Sequence, residues 1–212
     1  MSTKFLGVVI DDRLNWNVQI ENVCKKVSKG IGLLYSARQY LNKNLLKQLY
    51  HAFVHCHVTY CNIAWASTNK TKLETLFRRQ KHALRVINQK DRMAHTDPLF
   101  KEMKILNIFA LNVFQTLCLM YKCREQQGPP VFHDVFKIKS HGKYSMRTSQ
   151  KTVVQPFSFR NYELFSFHYR GPRLWNQIVA KSNDLLASKC IFSFRMNLKK
   201  FLSTRSDFSS FF

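Results

Sequence analysis

The chain has 212 residues, 45% of them hydrophobic and 14% aromatic, with 34 lysines and arginines against 12 acids for a formal charge of +22. That much apolar material can offset chain entropy with a packed core, which excludes wholesale disorder and any need for a disulfide-dependent miniature scaffold. The excess charge runs from +5 over residues 1–66 through +7 over 67–126 to +10 over 127–212, so nucleic-acid phosphates lead the expected partners, with anionic lipid or a merely solvated basic surface as alternatives.

The first expected element is a strand, Lys4 to Ile10, ended by Asp11 and Asp12 and with no visible pairing partner. Ile20, Val23, Cys24, Val27, Ile31 and Leu34 then recur at helical spacing. They predict an amphipathic helix weakened by Gly30 and Gly32, with Lys25, Lys26 and Lys29 on its outer face. A second helix is expected from Asn42 or Asn44, carrying Leu45, Leu49, Phe53, Cys56, Tyr60 and Ala64 on one face. After a break at Ser67 to Lys70, Thr71 and Glu74 fit a capping box for a third helix. It would bury Leu73, Leu76, Phe77, Leu84 and Ile87 and show Arg78, Arg79, Lys81, His82 and Arg85 outside. Asp97-Pro98 starts a short helix, followed by an apolar one over 105–121. Asn107, Asn112, Gln115 and Thr116 interrupt that run, favouring a buried helix over a membrane span.

Gly128-Pro129-Pro130 marks the expected boundary between a region 1–127 and an aromatic, basic region 128–212. Beyond it, Phe132 to Ile138 and Gln155 to Phe159 suggest loops and brief strands, and Arg170 to Asn176 suggests a turn feeding a short helix. A last helix, Lys189 to Leu202, would turn Ile191, Phe194, Leu198 and Phe201 inward and Lys189, Arg195, Lys199 and Lys200 outward, with a frayed tail from Ser203. The expected fold is mainly α: a helical bundle with a short N-terminal strand and a smaller mixed α/β C-terminal part.

Several side-chain groupings bear on chemistry. Asp11-Asp12 resembles the carboxylate pair of two-metal catalysis, but only ten residues precede it and no further carboxylate strand is available, so an acidic turn closing a strand is the better reading. His51, His55, Cys56, His57 and Cys61 are the only dense set of potential zinc ligands, yet they sit on a continuous helical pattern. No nucleophile elbow or phosphate loop occurs, and the six cysteines (Cys24, Cys56, Cys61, Cys118, Cys123, Cys190) read as reduced apolar residues. Arg160, Tyr162, Phe165, Phe167, His168, Tyr169, Arg170, Arg173 and Trp175 interleave charge with rings, as a base-stacking surface does, although core plus surface gives the same stripe. Without an apolar leader, an intracellular location is expected, nucleus or cytoplasm.

Across nearly the whole chain, motifs in a fixed order carry a resemblance. KFLGVVIDDRLNWNVQI at 4–20 resembles the stretch after the catalytic aspartate motif of non-LTR (LINE-type, jockey-like) retrotransposon reverse transcriptases. KKVSKGIGLLYSARQYL, LLKQLYHAFVHCHVTYCNIAW and LETLFRRQKHALRVI are similar to that family's thumb and post-thumb helices, and RGPRLWNQI and FSFRMNLKKFL to its closing segments. The resemblance implies that Phe5, Leu6 and Gly7 are primer-grip residues, that Trp16 packs at the strand-to-helix junction, and that helices within 16–66 hold a template–primer duplex. Met146-Arg147 stands where relatives carry Thr-Arg. The family's aspartate-bearing palm strands, fingers and endonuclease have no counterpart here, so no catalytic residue, metal or other cofactor is expected in this chain, whereas the full-length family enzyme would use Mg²⁺. The expected role is non-catalytic binding of RNA or RNA/DNA hybrid by Lys25, Lys26, Lys29, Arg78, Lys81, Arg85, Arg170 and Arg173, without membrane or small-molecule substrate. A zinc-dependent nucleic-acid module and a helical protein-interaction or membrane-surface piece are the rivals, and oligomeric state stays open.

Overall fold

A computed structural model describes residues 2–68, 70–132, 136, 152–157, 163–180 and 182–204. The chain is mainly α, with one small sheet, and divides into two compact units, one mainly of residues 1–111 and the other mainly of 112–202. The division falls inside a helix and not at Gly128. A Cβ on Gly128 would lie 3.0–3.2 Å from Cys123 atoms, so this glycine lets the chain turn back tightly on the end of that helix within the second unit.

The expected single strand is a hairpin. Strands β1 (Ser2–Phe5) and β2 (Val8–Asp11) pair antiparallel, Phe5 opposite Val8 and Ser2 opposite Asp11, around a two-residue turn at Leu6 and Gly7. Both turn residues have positive φ, 45° and 82°, as the right-handed twist of a tight hairpin demands. The Asp11 carboxylate then shapes the exit loop, Oδ1 accepting from the Arg13 and Asn15 amides (3.1 and 2.8 Å) and Oδ2 from the Trp16 amide (2.9 Å). Trp16, half-buried and left-handed, leads into helix α1 (Asn17–Ala37) without a side-chain cap of its own.

α1 buries the expected stripe, Ile20, Val23, Cys24, Val27, Ile31 and Leu34. Gly30 is more than a weak point: a Cβ there would sit 2.6 Å from the Phe53 carbonyl oxygen, so the glycine permits the backbones to meet. The second helix differs from expectation in phase and continuity. It comprises α2 (Lys43–Tyr50), capped by Asn42, a π-helical turn at His51–His55, α3 (Cys56–Thr59) and, past a left-handed Cys61, α4 (Asn62–Trp65). Leu46, Tyr50, Val54 and Val58 are the buried stripe, whereas Leu45, Phe53, Cys56 and Tyr60 are exposed. Two stripes of similar hydrophobicity lie side by side, and packing under Gly30 selects the one containing Val54, whose Cγ2 is 3.0 Å from where a Cβ on Gly30 would lie.

Helix α5 (Lys70–Ile87) begins before Thr71, so Thr71 and Glu74 lie inside its first turns and do not form the expected capping box. Its buried face includes the expected Leu73, Leu76, Leu84 and Ile87, together with Gln80; Phe77 is half-buried, packed against Phe100 and Phe109. The Gln80 amide donates to the Tyr50 hydroxyl (2.9 Å) and the Leu106 carbonyl (3.0 Å), while its oxygen accepts from the Ile108 amide (2.9 Å). It thereby ties α2 and α5 to the junction of α6 (Asp97–Met103) and α7 (Ile108–Arg124). α7 is apolar on most of its circumference and buried. Among the described residues no single helix is long and apolar enough to cross a membrane; α6 and α7 reach that length only together, across a 44° bend.

In the second unit, Arg170 to Asn176 is helical and not a turn. Ser166 caps α8 (Phe167–Leu174), which keeps Pro172 in its interior and runs into a π-helical turn at Trp175–Val179. Gly171 allows this by close approach, since a Cβ would lie 2.5 Å from Met120 Sδ. α9 (Asn183–Leu186) and α10 (Ile191–Thr204) follow. α10 buries Phe194, Leu198 and Leu202; Ile191 and Phe201, expected inside, are half-buried. Phe194 stacks between Tyr121 and Trp175, with ring centroids 4.5 and 6.1 Å away. Among the described residues this unit contains helices and a lone bridge residue, Val153, and no strand. Most of 132–138, residues 158–159, Met146-Arg147 and the tail from 205 lie outside the described residues.

Candidate nucleic-acid interface

α1 and α5 lie against each other and build a cationic groove in the first unit. It encloses about 440 Å³ and is lined by Asn17, Ile20, Glu21, Cys24, Lys25, Lys72, Thr75 and Arg79. Three cations thus face one acid. Lys72 and Arg79 stand seven residues apart on α5, two turns of the same face. Lys72 donates to the Asn15 carbonyl (2.8 Å), and Arg79 donates to the Ser28 hydroxyl (3.0 Å) and to the Thr75 carbonyl (3.2 Å), so both are held in place at the groove wall. The seven-residue spacing of Lys72 and Arg79 is the sequence signal for this wall.

The predicted cations distribute unevenly around this groove. Lys25 lines it, and Lys29, exposed, stands one turn further along α1. Arg78, exposed, neighbours Arg79. Lys26 lies on the other flank of α1 beside His57, where burial and then the Lys26 charge lower the histidine pKa. Lys81 and Arg85 follow a different stripe of α5: the Lys81 ammonium sits 4.2 Å above the Phe77 ring, and Arg85 donates to the Ala94 carbonyl (2.9 Å).

In the second unit Arg173 is half-buried, and Arg170 is only 4% exposed. Burial, with Arg173 beside it, lowers the pKa of Arg170. Arg170 therefore does not offer its guanidinium to an external phosphate, a correction that follows from its place on the inner side of α8. Trp175 is likewise core, stacked on Phe194, and is removed from the expected base-stacking set. Phe165, Phe167 and Tyr169 are half-buried and His168 is exposed, while Arg160 and Tyr162 lie outside the described residues.

The three residues expected as a primer grip form the hairpin tip. Phe5 and Leu6 are 63% and 73% exposed, and the Tyr60 hydroxyl donates to the Leu6 carbonyl at 2.5 Å, fixing the tip on the α3–α4 corner. The Val9 amide donates to Gln19 Oε1 (2.9 Å), a second anchor on α1.

Neither carboxylate nor imidazole clusters assemble into a metal centre among the described residues. No three His, Cys, Asp or Glu side chains come together there. The His51 and His55 rings meet edge to face at 4.9 Å on the π-helical turn. Asp11 is occupied by three backbone amides, which lower its pKa, chiefly through Asn15, against an opposing contribution from burial. Comparison with protein-family models, with curated proteins and with solved structures finds no match.

Proposed function

We propose that the chain is a non-catalytic nucleic-acid-binding piece of a retrotransposon-type reverse transcriptase, which grips RNA or RNA/DNA hybrid through its phosphates. The observation that carries this reading is the α1–α5 groove, where Lys25, Lys72 and Arg79 face Glu21 alone, with Lys29 and Arg78 exposed alongside. Phosphate contacts of this kind release condensed counterions, so affinity falls with salt in proportion to their number. The net charge of +22 supplies the same attraction at longer range. The order of motifs along the sequence supplies the reverse-transcriptase part of the reading.

The test is a titration of the purified chain with a labelled RNA/DNA hybrid at two salt concentrations, with anionic liposomes as the control. Hybrid binding should weaken steeply with salt. Neutralising Lys25 and Lys29 together should lower the slope of log affinity against log salt by about 2. Equal preference for liposomes, or a slope unchanged by the substitutions, overturns the reading.

A further inference from the structure

The exposed face of α1 changes character along its length. Lys25 and Lys29 occupy its middle, about 6 Å apart at the α-helical rise. The C-terminal end then presents aromatic surface: Tyr35 is 51% and Tyr40 84% exposed. The Arg38 guanidinium carbon lies over the Tyr35 ring, 3.8 Å from its centroid. Tyr40 is held just past the helix by its amide donating to the Ala37 carbonyl (3.0 Å), so its ring leaves the surface from a fixed turn.

Two large tyrosines exposed at one helix end serve no core, and both lie beyond the last lysine of the phosphate track. The electrostatics argue for bases and against phosphate at this end. The terminal carbonyls give a helix C-terminus a partial negative charge, which disfavours a phosphate there, and Arg38 compensates it. An uncharged π-face next to a guanidinium plane is what unpaired bases stack on, whatever their identity.

We propose that Tyr35, Arg38 and Tyr40 form a stacking platform for unpaired bases, so that the ligand is a duplex whose strand continues as a single-stranded extension past the end of α1. This rests on the nucleic-acid reading above and specifies its ligand: the duplex phosphates lie along Lys25 and Lys29, and the extension leaves over the tyrosines.

The test compares three ligands at fixed salt: a blunt RNA/DNA hybrid, the same hybrid with a single-stranded oligouridylate extension, and the free oligouridylate. The wild type should bind the extended hybrid about tenfold more tightly than the blunt one, the scale of one stacked base. Tyr35→Ser with Tyr40→Ser should bring the extended hybrid down to the blunt level and leave the salt slope unchanged. Arg38→Lys, which keeps the charge and loses the plane, should lose part of the same advantage. Both tyrosines are exposed and Arg38 is half-buried, and an unaltered thermal transition will establish that the variants remain folded. An extension that brings no advantage, or one that survives the double substitution, overturns the platform while the phosphate grip stands on its blunt-hybrid binding. Binding to none of the three ligands overturns both.

Discussion

The side-chain amide of Asn176 pairs with both backbone groups of Val153: Nδ2 donates to the carbonyl and Oδ1 accepts from the amide, each at 2.9 Å. The side chain thus stands in for a neighbouring strand and holds Val153 on the π-helical turn. Asn176→Asp removes the donor and sets a negative charge against the Val153 carbonyl. Urea unfolding should register a loss of about 1–3 kcal/mol; an unchanged midpoint would show that the clamp contributes nothing.

Gly30 and Gly32 make a paired prediction, because only one of them faces another backbone. Gly30→Ala forces a Cβ to within 2.6 Å of the Phe53 carbonyl oxygen and should cost about 1–3 kcal/mol through displaced backbone. At Gly32 nothing lies within 4 Å, so Gly32→Ala should stabilise by about 0.5–1 kcal/mol through helix propensity alone. Thermal melts of the two variants should move in opposite directions. Movement in the same direction would contradict the close approach.

Three amides hold Asp11 in its charged form, so its pKa in the folded chain lies below the ordinary 3.8. Its contribution is then fully present above pH 3.8 and is lost as pH falls toward the folded value. Asp11→Ala should cost about 0.5–1 kcal/mol at neutral pH, the low end for a capping side chain because the carboxylate faces solvent. The variant should also lose less stability than the wild type on acidification. Parallel acid-unfolding curves would assign the acid sensitivity to other carboxylates.

Replacing Gln80 by leucine keeps approximate volume but strands the Ile108 amide and the Leu106 carbonyl in a buried site. A loss of about 2–3 kcal/mol is expected. Hydrogen exchange at Ile108 should accelerate well beyond the rest of α7, whereas Tyr50→Phe, which leaves the two backbone partners satisfied, should leave that amide protected. Uniform acceleration along α7 in Gln80→Leu would argue for general loosening in place of a local bond.

The long elements were legible because their periodicity has one solution. α1 and the buried face of α5 follow from single apolar stripes at 3.6-residue spacing. α2 to α4 do not, since Leu45-Leu49-Phe53 and Leu46-Tyr50-Val54 are of similar hydrophobicity and tertiary contacts, at Gly30 and from Gln80 to Tyr50, choose between them. The hairpin was hidden by Leu6, a residue that rarely takes positive φ, sitting where an asparagine would have announced the turn. Pro172 and Gly171 look like a helix break; the Ser166 cap and the fit against Met120 keep them helical. Lys25 and Lys29 were visible as surface cations, but Lys72 and Arg79 needed the packing of α1 on α5 to become a wall. Arg170 carried no sequence mark of its burial.

The hairpin has two outer edges, and they are unequal. On β2 the outward amide of Val9 is satisfied by Gln19, while β1 from Ser2 to Phe5 is exposed along its whole length. A foreign strand therefore meets a more open edge at β1 than at β2. Lys4, in the middle of that open edge, places a charge where an added strand would align, a common guard against ladder growth and aggregation. Exchanging Lys4 for a β-branched apolar residue would leave the fold intact and remove the guard.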